Sequence, residues 1–215
     1  LEIRMQTGEP YIWFNDTANR ALPDYQKKLG LTINGSNLCS EISLATSKER
    51  TAVCCLSSVN LEYYDDWKDN DRFLSDVLEM LDNVVTYFIN NAPDEISRAR
   101  FSAMRERSVG VGALGFHAYL QKNNIAFEGV LAKSANNRIF SHIRKQLDAA
   151  NTRLAMERGP CPDSLEGNVY LFEGEKGETI ELKGLDDVTV IRNGKTITIK
   201  AHEVLAGDDV KITKH

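Results

Sequence analysis

Long apolar runs are missing from this 215-residue chain. None approaches the roughly 20 residues that a membrane-spanning helix requires, so no membrane partner is expected. The first ten residues lack a basic stretch followed by an apolar one, which excludes a secretory signal there. Excess positive charge is also missing: 26 Lys and Arg stand against 31 Asp and Glu, a net charge of -5. That balance argues against a nucleic-acid binder held by a general basic field. Cysteine is sparse, at four residues, with Cys54 and Cys55 adjacent and no C-x-x-C pair. A disulfide scaffold and a zinc knuckle are thereby excluded, and no metal site is expected. Reduced thiols in a cytoplasmic setting are the expectation, so each cysteine needs its own explanation. The chain starts at Leu1 without a methionine and reads as the interior of something longer.

What is present suffices for one core, or one core and a small module: 42% hydrophobic and 27% charged residues. All five prolines, all four cysteines, both tryptophans and all four methionines precede Ser164. Beyond it the texture becomes Gly, Thr, Ile, Val and charge. We therefore expect a boundary there, with an α/β, helix-rich part over 1–163 and a small all-β module over 164–215.

In the first part, Tyr11–Phe14 and Arg50–Ser57 read as short buried strands, and 16–36 as mostly loop. Phe73, Leu74, Val77, Leu78, Leu81, Val84, Val85 and Phe88 recur at helical spacing, with Pro93 just beyond. A second helical stretch covers Asp94–Arg107. A long one covers Ala132–Arg158, with Ile139, Ile143, Leu147, Ala150 and Leu154 on one face and Gly159-Pro160 as the stop. The glycines of SVGVGALGF lack the acidic residue expected about 20 positions on, so they do not make a dinucleotide loop. In the second part, Asn168–Phe172, Thr179–Leu182, Val188–Arg192 and Thr196–Lys200 read as strands. Gly174, Gly177, Gly184 and Asn193-Gly194 punctuate them, and 201–207 ends the pattern. Asn-Gly between VTVIR and KTITIK predicts a hairpin, because a type I′ turn needs positive φ at both central residues.

Chemistry concentrates in Ser36-Asn37-Leu38-Cys39-Ser40-Glu41-Ile42. In an extended chain Asn37, Cys39 and Glu41 would line one face, each about 7 Å from the next. An amide that orients a hydroxyl, a carboxylate that takes its proton and a sulfur between them form a reactive set. The same residues also suit a loop with a structural cysteine and two solvated polar side chains. Cys54 and Cys55 would point to opposite faces of their strand, and a buried small hydrophobe is the usual role of a free cysteine.

SNLCSEISL followed by TAVCCLSSVNL, then RERSVGVGALGFHAYLQ and LAMERGPCPDS, in that order, resemble the large catalytic subunit of class I ribonucleotide reductase. The resemblance covers about residues 1–163. It implies part of a ten-stranded α/β barrel and the reduction of ribonucleoside diphosphates to deoxyribonucleotides by thiyl-radical chemistry. On that resemblance Cys39 carries the radical, Glu41 is the general base for the 3′ hydroxyl, Asn37 orients the substrate hydroxyls, and Cys54 is one of the redox-active pair. Cys55 is a bystander. No cofactor would bind directly; the radical would come from a metal-containing small subunit and the electrons from an external dithiol. The implied partners are the ribonucleotide substrate, that small subunit and the remaining segments of the large subunit. The effector region, the partner cysteine and the radical-relay tyrosines of the family have no counterpart in these residues, so the chain alone is expected to be inactive.

The tail from Ser164, SLEGNVYL with AHEVLAGDDVKI further on, resembles the amino-terminal fragment of an intein. That resemblance implies Ser164 as a splicing nucleophile on the Asp163 carbonyl, and a carboxy-terminal intein half as partner. The alternatives to a reductase fragment are thus a trans-splicing precursor and a non-catalytic interaction fragment.

Overall fold

The structure is a computed structural model, and it describes residues 1–173, 179–204 and 208–211. The expected turns at Gly174 and Gly177 and the end of the pattern over 205–207 lie outside the described residues. The chain folds as two compact units. One is continuous, Ala52–Cys161; the other joins Leu1–Thr51 to Pro162–His215.

The continuous unit is built on a parallel strand pair and two long helices. Strand β1 (Cys55–Asn60) pairs in parallel with β2 (Val109–Leu114), with Cys55 opposite Val109 and Asn60 opposite Leu114. Parallel neighbours need a crossover, and here helices α4 (Tyr64–Trp67), α5 (Phe73–Asn91) and α6 (Ser97–Glu106) supply it. The strand expected over Arg50–Ser57 is therefore shifted toward the C-terminus, because the register is set by its partner. That partner reads poorly as a strand, since Gly110 and Gly112 give it little β propensity.

Helix α5 buries Leu74, Leu78, Leu81 and Val85, one stripe at helical spacing, and ends before Pro93. Helix α8 (Val130–Arg158) follows α7 (Phe116–Lys122) and buries Ala132, Ala135, Ile139, Ile143, Ala150 and Leu154. Alanines on that stripe let neighbouring backbone approach closely. Gly159, at φ 84°, ends the helix in a conformation that disfavours a Cβ. The core gathers Leu61, Leu120 and Ile139, all fully buried, around Tyr64, whose hydroxyl lies 3.1 Å from His142 Nδ1. Over the seam between α5 and α8, Arg153 and Arg158 reach Glu79 at 3.1 and 2.8 Å, and Arg158 and Arg107 both reach Asp82 at 2.6 Å. These pairs are partly exposed and contribute little each. None of the described helices is long and apolar enough to cross a membrane.

The discontinuous unit departs more from the expectation. Tyr11–Phe14 is not a strand: it pairs with no strand among the described residues, and Tyr11, Ile12 and Phe14 are exposed. An isolated apolar run gains nothing from extending without a ladder to join. The segment expected as loop instead carries two short helices, α2 (Asn15–Arg20) and α3 (Asp24–Lys28), after α1 (Glu2–Thr7). Asp16, and Pro23 followed by Asp24, are the residue types that open helices.

The boundary expected at Ser164 is crossed by a helix, α9 (Pro162–Gly167), which packs on α3 and buries Asp163 and Leu165. The change of unit falls two residues before that helix reaches Ser164, between Cys161 and Pro162, so α9 stands at the start of the second segment of the discontinuous unit. Strands β3 (Val169–Glu173) and β4 (Thr179–Lys183) pair antiparallel. Strands β5 (Asp187–Arg192), β6 (Lys195–Lys200) and β7 (Asp209–Lys211) form a second sheet in the order β6-β5-β7. Asn193 and Gly194 both have positive φ, at 53° and 74°, as the hairpin requires. Val188, Val190 and Ala201 form a small core of their own with Tyr170, Phe172 and Leu182 packed against it.

Gly167 sits directly against the Tyr25 backbone carbonyl, so a Cβ there would force α9 off α3. Gly167→Ala is expected to cost about 1–3 kcal/mol of stability, from overpacking against a backbone atom. Chemical denaturation of the variant beside the parent checks it.

Candidate active site

Asn37, Cys39 and Glu41 sit at the tip of a long loop. The extended segment expected there is a tight turn instead. Asn37 closes it: its N–H donates to the Ile42 carbonyl at 3.3 Å, its Oδ1 accepts from the Ile42 N–H at 3.0 Å, and its carbonyl accepts from the Ser40 N–H at 3.1 Å. Ser40 takes positive φ, 68°, to complete the reversal. Strand alternation therefore does not apply here; a clasp six residues long sets the local geometry of the three residues. Leu38, Cys39, Ser40 and Glu41 are exposed at the tip, while Asn37 is half-buried. Asn37 Oδ1 is engaged by the Ile42 N–H, so the side chain serves the turn itself.

Below the tip the loop is laced to its own unit. The Thr46 N–H donates to the Thr32 carbonyl at 3.1 Å, and Asn34 Nδ2 donates to the Thr46 carbonyl at 2.9 Å. Asn19 grips Ile33 through both backbone groups, at 2.8 and 2.9 Å. At the foot, the Arg50 guanidinium makes two parallel bonds to the Asp163 carboxylate, 2.6 and 2.9 Å, with side-chain exposures of 8% and 0%. Neither residue is singled out as a pair by the sequence. They stand 113 positions apart, and no periodicity links them.

Cys54 belongs to the continuous unit, immediately before β1. The Cys55 N–H donates to the Ser108 carbonyl, so the parallel ladder begins here. Cys54 and Leu56 lie over Gly110 of β2; a Cβ on Gly110 would meet Leu56 Cδ2 at 2.6 Å and Cys54 Sγ at 3.8 Å. The missing side chain is what leaves room for Leu56, with the Cys54 thiol at ordinary contact distance beside it. Burial is the main force pushing the Cys54 thiol above its ordinary value of 9.0, followed by charge on Cys55 and on Glu106. Glu106 ends α6, is buried, and accepts from Ser102 Oγ at 2.7 Å. Burial also raises Cys55. All four cysteines are free thiols.

Ser164 lies within α9, where its Oγ accepts from Asn168 Nδ2 at 3.1 Å and its carbonyl accepts from the Asn168 N–H. The peptide expected to be attacked is thus part of a helix whose Asp163 is held by Arg50. No cluster of three or more metal-ligating side chains occurs among the described residues.

Comparison with known proteins extends the picture. The sequence profile described as "Ribonucleotide reductase, barrel domain" matches residues 1–184, and so runs through Ser164 and into β4. The chain is 52% identical over 160 residues to the ribonucleoside-diphosphate reductase large subunit of Invertebrate iridescent virus 3, covering 74% of this chain and 25% of that protein. It is 57% identical over 134 residues to the large subunit of Invertebrate iridescent virus 6, covering 62% of this chain and 14% of that one. Among solved structures, the Actinobacillus ureae class Id ribonucleotide reductase alpha subunit superposes with a TM-score of 0.71 at 40% identity, over 75% of this chain and 31% of that one. The chain therefore spans about a quarter of the length of such relatives, and its strands form no closed barrel among the described residues.

The raised Cys54 thiol gives a signed expectation. Its alkylation by iodoacetamide, followed site by site against pH, should show a midpoint above 9.0. Glu106→Gln removes one negative charge and should move that midpoint down. An unchanged or raised midpoint contradicts the assigned cause.

Proposed function

Since this chain belongs to the ribonucleotide reductase barrel-domain family, we propose that it supplies the radical-bearing loop of a ribonucleoside-diphosphate reductase large subunit. One observation carries the reading: an exposed thiol at the tip of a clasped loop, flanked by an amide and a carboxylate, in a chain half identical to proteins of that name. The tip is suited to a sulfur that must meet a sugar, because Cys39 is presented and not packed away.

In this reading Cys39, as a thiyl radical, takes the hydrogen atom from C3′ of the ribose and returns it at the end. Glu41 accepts the 3′ hydroxyl proton, and Asn37 Nδ2 donates to a substrate hydroxyl. Cys54 and a second thiol from elsewhere in the large subunit give up two electrons and two protons. The 2′ oxygen leaves as water and the two sulfurs join as a disulfide, which an external dithiol then reduces. The radical originates in a separate metal-containing small subunit. Substrate, small subunit and the rest of the large subunit are the partners, and the residues described here make one part of the site.

The test uses a full-length large subunit with its small subunit and a dithiol. Cys39→Ser should abolish ribonucleotide reduction while substrate still binds. Glu41→Gln should lower kcat by about 10²–10⁴-fold, the range for losing a general acid or base. Retained turnover in Cys39→Ser refutes the reading.

A further inference from the structure

The Cys39 loop is long and its tip is exposed, yet radical transfer to a sugar demands a sulfur held to a fraction of an ångström. Something must hold it. Restraints recur down the returning arm. Asn37 clasps Ile42. Ala45 is buried, and Thr46 is bonded across to Thr32 and Asn34. Next comes a tight turn in which the Ser47 N–H donates to the Arg50 carbonyl at 3.1 Å. Ser47 Oγ accepts from the Glu49 N–H at 3.1 Å and donates to the Glu49 carboxylate at 2.9 Å. That turn fixes Arg50 relative to Thr46. Arg50 is in turn fixed to α9 by its two-bond fork on Asp163. Helix α9 is itself seated, by Gly167 against Tyr25 of α3 and by the Leu165 carbonyl accepting from the Gly184 N–H at 3.0 Å.

We propose that Arg50 and Asp163 are a positioning pair for the radical cysteine, setting where the Cys39 tip stands without touching substrate. Two physical points favour this over a plain stabilising role. A fully buried ion pair is a poor source of stability, since apolar residues of like volume often do as well. A guanidinium on a carboxylate fixes an angle as well as a distance, because the two planar groups meet by parallel bonds. Lysine at position 50 would keep the charge and lose the angle. The functional half of the proposal rests on Cys39 as the radical residue; the mechanical half does not.

Both halves are read in one experiment on a full-length large subunit with its small subunit. Arg50→Lys is compared with the double variant Arg50→Met/Asp163→Leu, which keeps buried volume without charge. Amide exchange at Asn37, Ser40 and Ile42 reports the loop, and amides of β1 serve as the internal reference. The expected result is exchange about tenfold faster at the three loop amides with β1 unchanged. Alongside it, kcat should fall about tenfold to a hundredfold with KM within about twofold, as for a small misplacement of a reacting group. Folded variants with parental loop exchange and parental kcat overturn the proposal. So does failure of both variants to fold, which would make the pair a structural prop. Cys39→Ser, run in parallel, separates the two halves. If it retains turnover, the radical assignment falls, while the loop exchange still decides whether Arg50 and Asp163 position the tip.

Discussion

Within the discontinuous unit, the buried fork between Arg50 and Asp163 sets a geometry that the packing of α9 on α3 shares. It joins the amino-terminal 51 residues to the segment that begins at Pro162, and nothing local in sequence could replace it. Removing one partner of such a pair leaves an uncompensated charge with little water to receive it, a loss on the order of 3–5 kcal/mol. Several features follow from this contact. Helix α9 must lie with its first turn facing Arg50. Gly167 then has to be a glycine, because the helix end meets the Tyr25 backbone. The foot of the Cys39 loop is fixed to the same helix that carries the chain into β3.

The two cysteine environments are opposite in kind. Cys39 is exposed at a turn whose backbone polar groups are satisfied by a neighbouring amide side chain. Cys54 is half-buried beside a carboxylate, and its thiol holds its proton more tightly than usual. A sulfur that must meet a substrate benefits from the first arrangement. One kept as a thiol until an oxidising event suits the second. Glycine at position 110 and the ladder that starts at Cys55 set the second arrangement, just as the Asn37 clasp sets the first.

Much of this was legible in the sequence, and the reasons for the rest are specific. Helices α5 and α8 announced themselves through apolar spacing and through Pro93 and Gly159, because burial on one face writes a period into a helix. The Asn193-Gly194 hairpin was legible because the backbone demands those residue types. The family motifs drew attention to Asn37, Cys39 and Glu41, but alternation gave the wrong local geometry for the segment that carries them. A six-residue clasp depends on the single side chain of Asn37, and a period-2 pattern says nothing of it. Strand β2 was hidden by its glycines, of which Gly110 admits Leu56 and Gly112 sits close against Ser58. The apolar Tyr11–Phe14 run misled because apolarity specifies burial, not a partner. Composition placed a boundary at Ser164, while the chain path has a helix there, held by an arginine more than a hundred residues away.

The interleaving of the two units has a consequence for synthesis. Ala52–Cys161 is contiguous, so all of its contacts become available while the chain is still emerging from the ribosome. The unit that carries Cys39 is complete only after Asp163 has emerged, because its two segments lie on either side of Ala52–Cys161. During that interval the loop that carries Cys39 has its local bonds, from Asn19 to Ile33 and from Thr46 to Thr32, but not the joint at its foot. The ordering leaves that joint among the last parts of the unit to form.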